Sequence, residues 1–341
     1  MYIIQTILVI TQHPVLLYRF STMSSPRILT RQDYTVGWIC ALPKPELAAA
    51  LFMLDNEHPR LPQTKADTNN YTLGSIGLHN VVIACLPQGE YGVSSAAHVA
   101  TQMRHSFPNI RFGLMVGIAG GVPNLPEVDI RLGDVVVSKP GNQNGGVVQY
   151  DSGKATSGGV FEPTGWLDAP PAILRAAVGT LEAREDRWGN EFMRYLSAFG
   201  SKEGQKFANP GPENDRLYDV NDPTKLVDRG NRPKSPVVHY GTIASGSSLI
   251  KDGKLRDKLR EKHGILCFEM EAAGLSNDFP CIVIRGICDY ADSRKNKQWQ
   301  PYAAAMAAAY AKHLLHLIDP IEVSPVEHVA MEPTKKGQLA S

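Results

Sequence analysis

Two stretches in the last third of the chain place chemistry-bearing residues at the ends of apolar runs. Ile265 to Phe268 leads into Glu269, Met270 and Glu271, and Cys281 to Cys288, interrupted by Arg285, ends at Asp289. A buried strand gains nothing from such carboxylates. In open α/β sheets, however, ligands bind outside the carboxyl ends of strands. Glu271 and Asp289 are therefore expected to face one crevice, and carboxylates there are suited to acid–base work. Each alone has a plainer reading, Glu271 as a dipole-favoured carboxylate in a first helical turn and Asp289 as a cap. The recurrence of the pattern at two strand ends argues for a site.

The elements that must position these residues alternate. Tyr34 to Leu42 reads as a buried strand, broken by Pro43-Lys44-Pro45 before a helix begins at Glu46, at that helix's positive end. Tyr71 to Ile76 and Val81 to Leu86 read as paired strands, and the loop Gly89 to Ser95 opens a helix over Ala96 to Met103. Phe112 to Val116 is a strand followed by Gly117-Ile-Ala-Gly-Gly, where Ala119 and Gly120 let a ligand approach the backbone. Val135 to Ser138 and Val237 to Ser245 read as strands. Ala172 to Arg184, Lys251 to His263, Ala272 to Asn277 and the Ala-rich Tyr302 to Ile318 read as helices. Residues 198–236, rich in Gly, Pro, Asn, Asp and Lys, read as a long, partly mobile surface insertion. The expected architecture is a three-layer α/β/α sandwich around a mixed β-sheet.

Composition bounds the function. With 43% hydrophobic and 20% charged residues among 341, the chain can bury a sizeable core. A net charge of +1 provides no global field for nucleic acid or a membrane surface. The five cysteines, Cys40, Cys85, Cys267, Cys281 and Cys288, lie in or beside apolar runs without metal-type spacing. Buried free thiols and a reducing, cytoplasmic setting are expected, with no metal site. Residues 1–33 are expected to be an unstructured extension, since Ile3 to Ile10 is neither a good signal peptide nor a span. The catalytic domain is expected over 34–320, with a tail over 321–341.

The Phe-Glu-Met-Glu-Ala-Ala-Gly stretch at 268–274 and Arg-Gly-Ile-Cys-Asp at 285–289, with the modified glycine motif and Asp129 to Ser138, resemble the nucleoside phosphorylase and nucleosidase superfamily in a fungal-type form. The resemblance covers about residues 34–318 and implies the same sandwich fold. It implies that Met270 and Glu271 hold a ribose, that Asp289 serves as acid at a purine, and that no cofactor is used. It also implies a small-molecule nucleoside or nucleotide as substrate, and a homo-oligomer. Leu249 and Ile250 stand where relatives place base contacts, Leu249 replacing an aromatic.

The resemblance further bears on the attacking group. Phosphorylases of the superfamily carry arginines in the loop after the first strand and two residues before the glycine motif, because a phosphate dianion needs forked cationic donors. Here these places hold Glu46 and Met115. The nucleosidase branch has a glutamate at the place of Glu46, holding the attacking water with an arginine at the place of Arg285. Pro45 lengthens this segment by one residue, and Ile118 replaces a serine that touches the water. An Arg285 that merely pairs with a buried carboxylate is the competing reading. The resemblance thus implies hydrolysis of purine nucleosides, with a phosphorylase and a nucleotide-sensing module as alternatives. After Asp289, Trp299 stands where an aromatic lines the pocket for the 5′ substituent. Arg294, Lys295 and Lys297 form a local cationic cluster that reads either as a solvated charged loop or as a seat for a 5′ phosphate chain; on the second reading adenine nucleotides up to ATP are expected substrates.

Overall fold

The computed structural model describes residues 29–63, 66–141, 143–155 and 161–320. The extension expected before residue 29 and the tail expected after residue 320 lie outside these residues. Arg31–Asp33 form a short 3-10 turn rather than unstructured chain, with Thr30 Oγ1 donating to Asp33. The strands are β1 (Val36–Cys40), β2 (Asn56–Glu57), β3 (Tyr71–Ile76), β4 (His79–Cys85), β5 (Phe112–Gly121), β6 (Val135–Ser138), β7 (Val147–Gln149), β8 (Gly153–Ala155), β9 (Phe161–Pro163), β10 (Val238–Ser245), β11 (Ile265–Glu269) and β12 (Cys281–Asp289). The helices are α1 (Ala48–Met53), α2 (Val93–Ser106), α3 (Ala172–Trp188), α4 (Gly253–His263) and α5 (Gln300–Leu315).

The main sheet runs β11-β10-β6-β12-β5-β1-β4-β3-β2, with β7 added beside β10. It is mixed: β1, β4, β5 and β12 are parallel, β12 meets β6 antiparallel, and β11 also pairs antiparallel with the end of β5. Its central strands read as continuous apolar runs because both faces are covered. One face carries α5, which approaches so closely that a Cβ on Gly286 would lie 1.9 Å from the Ala303 carbonyl oxygen. On the other face, a Cβ on Gly37 would strike Phe279 and Met103 of α2. These two close approaches, on residues of opposite alternation in register-matched strands, define the three layers. Arg285 therefore points away from α5, onto the face shared with α2.

Local chemistry sets the ends of the helices. Asp252 caps α4 by accepting from the N–H groups of Lys254 and Leu255, and Gly264 ends the helix in the left-handed conformation. α5 is almost wholly buried, which its alanines permit because they let the helix sit close to the sheet. No helix among the described residues is long and apolar enough to cross a membrane.

Three elements differ from the sequence reading. β5 continues through the glycine motif to Gly121, because neighbours on both sides supply the ladder that glycine's low strand preference would not. The helix expected over Ala272 to Asn277 is only a 3-10 turn at Ala272–Gly274. A Cβ on Gly274 would lie 2.0 Å from the Val93 carbonyl oxygen, so α2 packs directly on this turn. The 198–236 segment is not merely a surface excursion. Phe199, Phe207 and Leu217 are buried, with the two phenylalanines packed on each other and on Phe52. Asp215, paired with Arg232 inside the segment, then ties it to the domain through the Tyr290 hydroxyl, and Arg232 does so through the Leu132 carbonyl.

Candidate active site

Glu46 lies in a tight turn, Pro43–Leu47, that folds its side chain back over the end of β1. Its Oε2 accepts from the N–H groups of Ala41 at 2.7 Å and Leu42 at 2.9 Å, and its Oε1 from that of Ile118 at 2.8 Å. The side chain of Ile118 cannot replace a serine hydroxyl, but its backbone N–H fixes the carboxylate. A Cβ on Gly117 would come within 2.4 Å of both Glu46 Oε1 and Arg285 Nη1, so only glycine allows this approach. Burial raises the Glu46 carboxyl above its ordinary range, against the opposing pull of Arg285 and the three N–H donors.

Arg285 is fully buried and sits among three carboxylates. Its Nη2 forms an ion pair with Glu269 and lies 3.5 Å from Glu271 Oε2, while Nη1 is 4.0 Å from Glu46 Oε1. The competing reading of Arg285 as a partner to a buried carboxylate is therefore present together with the position beside Glu46. Glu269 was not singled out by sequence reasoning. The available signal was its spacing of two from Glu271, which suits one face of an extended chain. Glu269 also accepts from the N–H groups of Glu271 and Ala272, at 3.0 to 3.2 Å, and so braces the turn that carries Glu271. Neither Nε nor Nη1 of Arg285 has a hydrogen-bond acceptor.

Glu271 is buried and accepts from the Gly92 N–H at 3.4 Å, which brings the start of α2 to the same crevice. Burial, and to a smaller extent Glu269 and Glu46, raise its carboxyl to about 7 even though Arg285 pulls the other way. Met270 beside it is half-buried.

Asp289 ends β12 opposite Gly120, whose missing Cβ would lie 2.7 Å from Asp289 Oδ1. Its Oδ1 accepts from the Ala291 N–H at 2.8 Å and Lys295 Nζ lies 3.1 Å away. A cavity of about 250 Å³ opens at Asp289 and is walled by Asn214, Arg216 and Tyr218 of the 198–236 segment. Ala119 is buried on β5 next to Gly120. Ile250 is buried with Phe268 and Ala291, whereas Leu249 is 53% exposed.

The cationic loop divides. Lys295 engages Asp289, Arg294 stacks over the Tyr218 ring at 4.0 Å while bonding the Pro223 carbonyl, and Lys297 is exposed. Trp299 is wholly buried against Tyr302, its indole N–H donating to the Asn214 carbonyl at 3.1 Å. It thus stands behind the cavity wall rather than on an open face. Cys40, Cys267, Cys281 and Cys288 are buried and Cys85 is half-buried, all as free thiols.

The sheet order, the strand-end carboxylates and the glycine approach define a nucleoside phosphorylase-like α/β fold. A profile of the Phosphorylase superfamily matches residues 35–319, and the chain belongs to that superfamily. The chain is 49% identical over 310 residues to a nucleotide-binding leucine-rich repeat (NLR)-like protein of Hyaloscypha variabilis, covering 87% of this chain and 30% of that protein. It is 28% identical over 289 residues to the ATP nucleosidase Cap17 of Escherichia coli, covering 82% and 50% respectively. The chain thus spans half or less of these two relatives. Among solved structures, futalosine hydrolase of Helicobacter pylori superposes with a TM-score of 0.57 at 16% identity, covering 84% of this chain and 99% of that one.

Proposed function

We propose that this chain is a purine nucleosidase that uses water to cleave the N-glycosidic bond of adenine nucleosides and nucleotides. The observation that carries the reading is the setting of Arg285, a buried cation shared among Glu269, Glu271 and Glu46. Such a cluster repels a phosphate dianion but suits a neutral water, which could donate to Glu46 and accept from Arg285 Nη1. Similarity to nucleosidases supports the same reaction class.

In this mechanism the C1′–N9 bond breaks with its electron pair passing to the base. The protonated carboxyl of Asp289 gives its proton to N7, so the base departs neutral. Glu271 accepts hydrogen bonds from ribose hydroxyls, which strengthen as the sugar gains positive charge. Water oxygen bonds to C1′ and its proton passes to Glu46; solvent then reprotonates Asp289 and relieves Glu46. Met270 packs beside the sugar, while Ala119, Gly120 and Ile250 border the base. Arg294 and Lys297 remain the candidates to meet a 5′ phosphate, and resemblance to an ATP nucleosidase supports nucleotides as substrates.

The test is incubation with adenosine, inosine, AMP and ATP, with and without phosphate, and chromatography of the products. Free base with ribose or ribose phosphate, formed without added phosphate, is expected. Strict phosphate dependence with ribose 1-phosphate as product would replace hydrolysis by phosphorolysis.

A further inference from the structure

The loop after Asp289 offers Lys295 a role that its place in a cationic cluster does not suggest. Lys295 Nζ lies 3.1 Å from Asp289 Oδ1, with side chains only 18% and 10% exposed. The same Oδ1 already accepts from the Ala291 N–H at 2.8 Å, and Cys288 Sγ lies 3.4 Å from Oδ2. A carboxylate has about four lone-pair directions. Oδ1 thus has both of its directions occupied, and Oδ2 has one left.

We propose that Lys295 is a positioning residue for the base-cleaving reaction, engaging Oδ1 so that the transferable proton of Asp289 can reside only on Oδ2, the oxygen left to face the base. The inference rests on the nucleosidase reading. An O–H on Oδ1 would have to displace a backbone donor or point at a cation, and both are costly in a largely buried site. Without the ammonium group, Oδ1 regains a free direction. The proton then divides between two oxygens, and only one is aimed at N7. In the step itself one O–H bond at Oδ2 breaks and one N7–H bond forms as the C1′–N9 electrons enter the base. Lys295 keeps its proton throughout.

Two measurements test this on Lys295→Met, which keeps the length of the side chain without its charge, and on Lys295→Arg. The first is turnover of adenosine against p-nitrophenyl riboside, whose leaving group departs without a proton. In Lys295→Met, kcat on adenosine is expected to fall about tenfold or more while that on p-nitrophenyl riboside falls far less, with partial recovery in Lys295→Arg. Equal losses on both substrates, or no loss on either, would overturn the proposal. The second is calorimetric binding of 9-deazaadenine, which presents N7–H permanently. Its affinity should weaken in Lys295→Met and recover in Lys295→Arg, because Lys295, by holding Oδ1, keeps the ionised carboxylate turned with Oδ2 toward the N7–H donor. If wild type binds it and Lys295→Met binds it equally well, the proposal for Lys295 fails and the nucleosidase reading stands. If wild type neither binds it nor cleaves either riboside, both fail.

Discussion

Arg285 Nη1 stops 4.0 Å short of Glu46 Oε1, although the other end of the guanidinium is in direct contact with Glu269. The distance is too long for a direct hydrogen bond, and Nη1 has no other acceptor. Glu46 itself is held by three backbone N–H groups, so the carboxylate cannot swing to close the gap without breaking them. The pair is thus a fixed frame in which Glu46 Oε1, bonded only to the Ile118 N–H, and Arg285 Nη1, without an acceptor, each keep the hydrogen-bonding capacity that the proposed attacking water requires.

It follows that Glu46→Gln should bind a product base or substrate analogue nearly as well as wild type while losing most of its turnover. A rate loss of about a hundredfold or more is in the range of a general base. Because burial raises the Glu46 carboxyl, and a base must be ionised to work, the acid limb of the pH–rate profile should lie above the ordinary glutamate range. A profile that stays flat down to the ordinary range, or an unchanged rate in the variant, would remove Glu46 from this role.

Asp289→Asn tests the opposite side of the bond. The amide cannot give up a proton to N7, so purine nucleosides should lose most of their turnover, while p-nitrophenyl riboside should keep much of it. A loss on adenosine below about tenfold, or about 1.4 kcal/mol of barrier, would mean that another group supplies the proton.

Asp289 was legible from sequence because it ends an apolar run, and Glu46 through the resemblance to the nucleosidase branch; the fold then brings Glu46, Glu271 and Arg285 together. Glu269 was not legible, because its spacing of two from Glu271 marks a shared face only once the end of the strand is known. The course of β5 through Gly117 to Gly121 was hidden for a related reason. Glycine is a poor strand former alone, and here Arg285, Glu46 and Asp289 need the space that side chains would fill. Phe199 and Phe207 were hidden by polar neighbours, since two isolated aromatics create no periodicity yet still anchor a segment. The position of Trp299 and the partner of Lys295 depend on tertiary packing that spacing does not encode.

Gly117→Ala places the requirement for space under test. Its Cβ would intrude on Glu46 Oε1 and Arg285 Nη1 at 2.4 Å, and both groups are tied down. The variant is expected to lose about 1–3 kcal/mol of stability through overpacking and most of its activity through displacement of the frame. Wild-type turnover with an unchanged melting temperature would show that the frame is softer than its hydrogen bonds imply.

Glu269→Gln should be costly in a different way. It takes the nearest counter-charge from a fully buried guanidinium and weakens the acceptor for the N–H groups of Glu271 and Ala272. Removing one partner of a buried pair commonly costs about 3–5 kcal/mol, although Glu271 and Glu46 remain to share the charge here. A loss within about 0.5 kcal/mol by denaturant melts would show that these two suffice and that Glu269 is dispensable to the cluster.

The last prediction uses Glu271, whose carboxyl is raised to about 7 by burial and by neighbouring carboxylates. A folded-state value above the unfolded one means that the folded protein holds this proton more tightly than the open chain. The stability it contributes is fully present below the unfolded value of 4.5 and is lost as pH rises through about 7. Melting temperature should accordingly decline between about pH 5 and pH 8 by more in wild type than in Glu271→Gln, whose amide cannot ionise. A ribose-containing ligand should reduce the decline, because its hydroxyls donate to the ionised carboxylate and offset the cost of burying it. Melts by circular dichroism across this range, with and without a non-hydrolysable nucleoside analogue, measure both effects. An identical pH dependence in wild type and Glu271→Gln would show that Glu271 does not carry the titration, and a ligand effect that survived in the variant would place the ribose contact elsewhere.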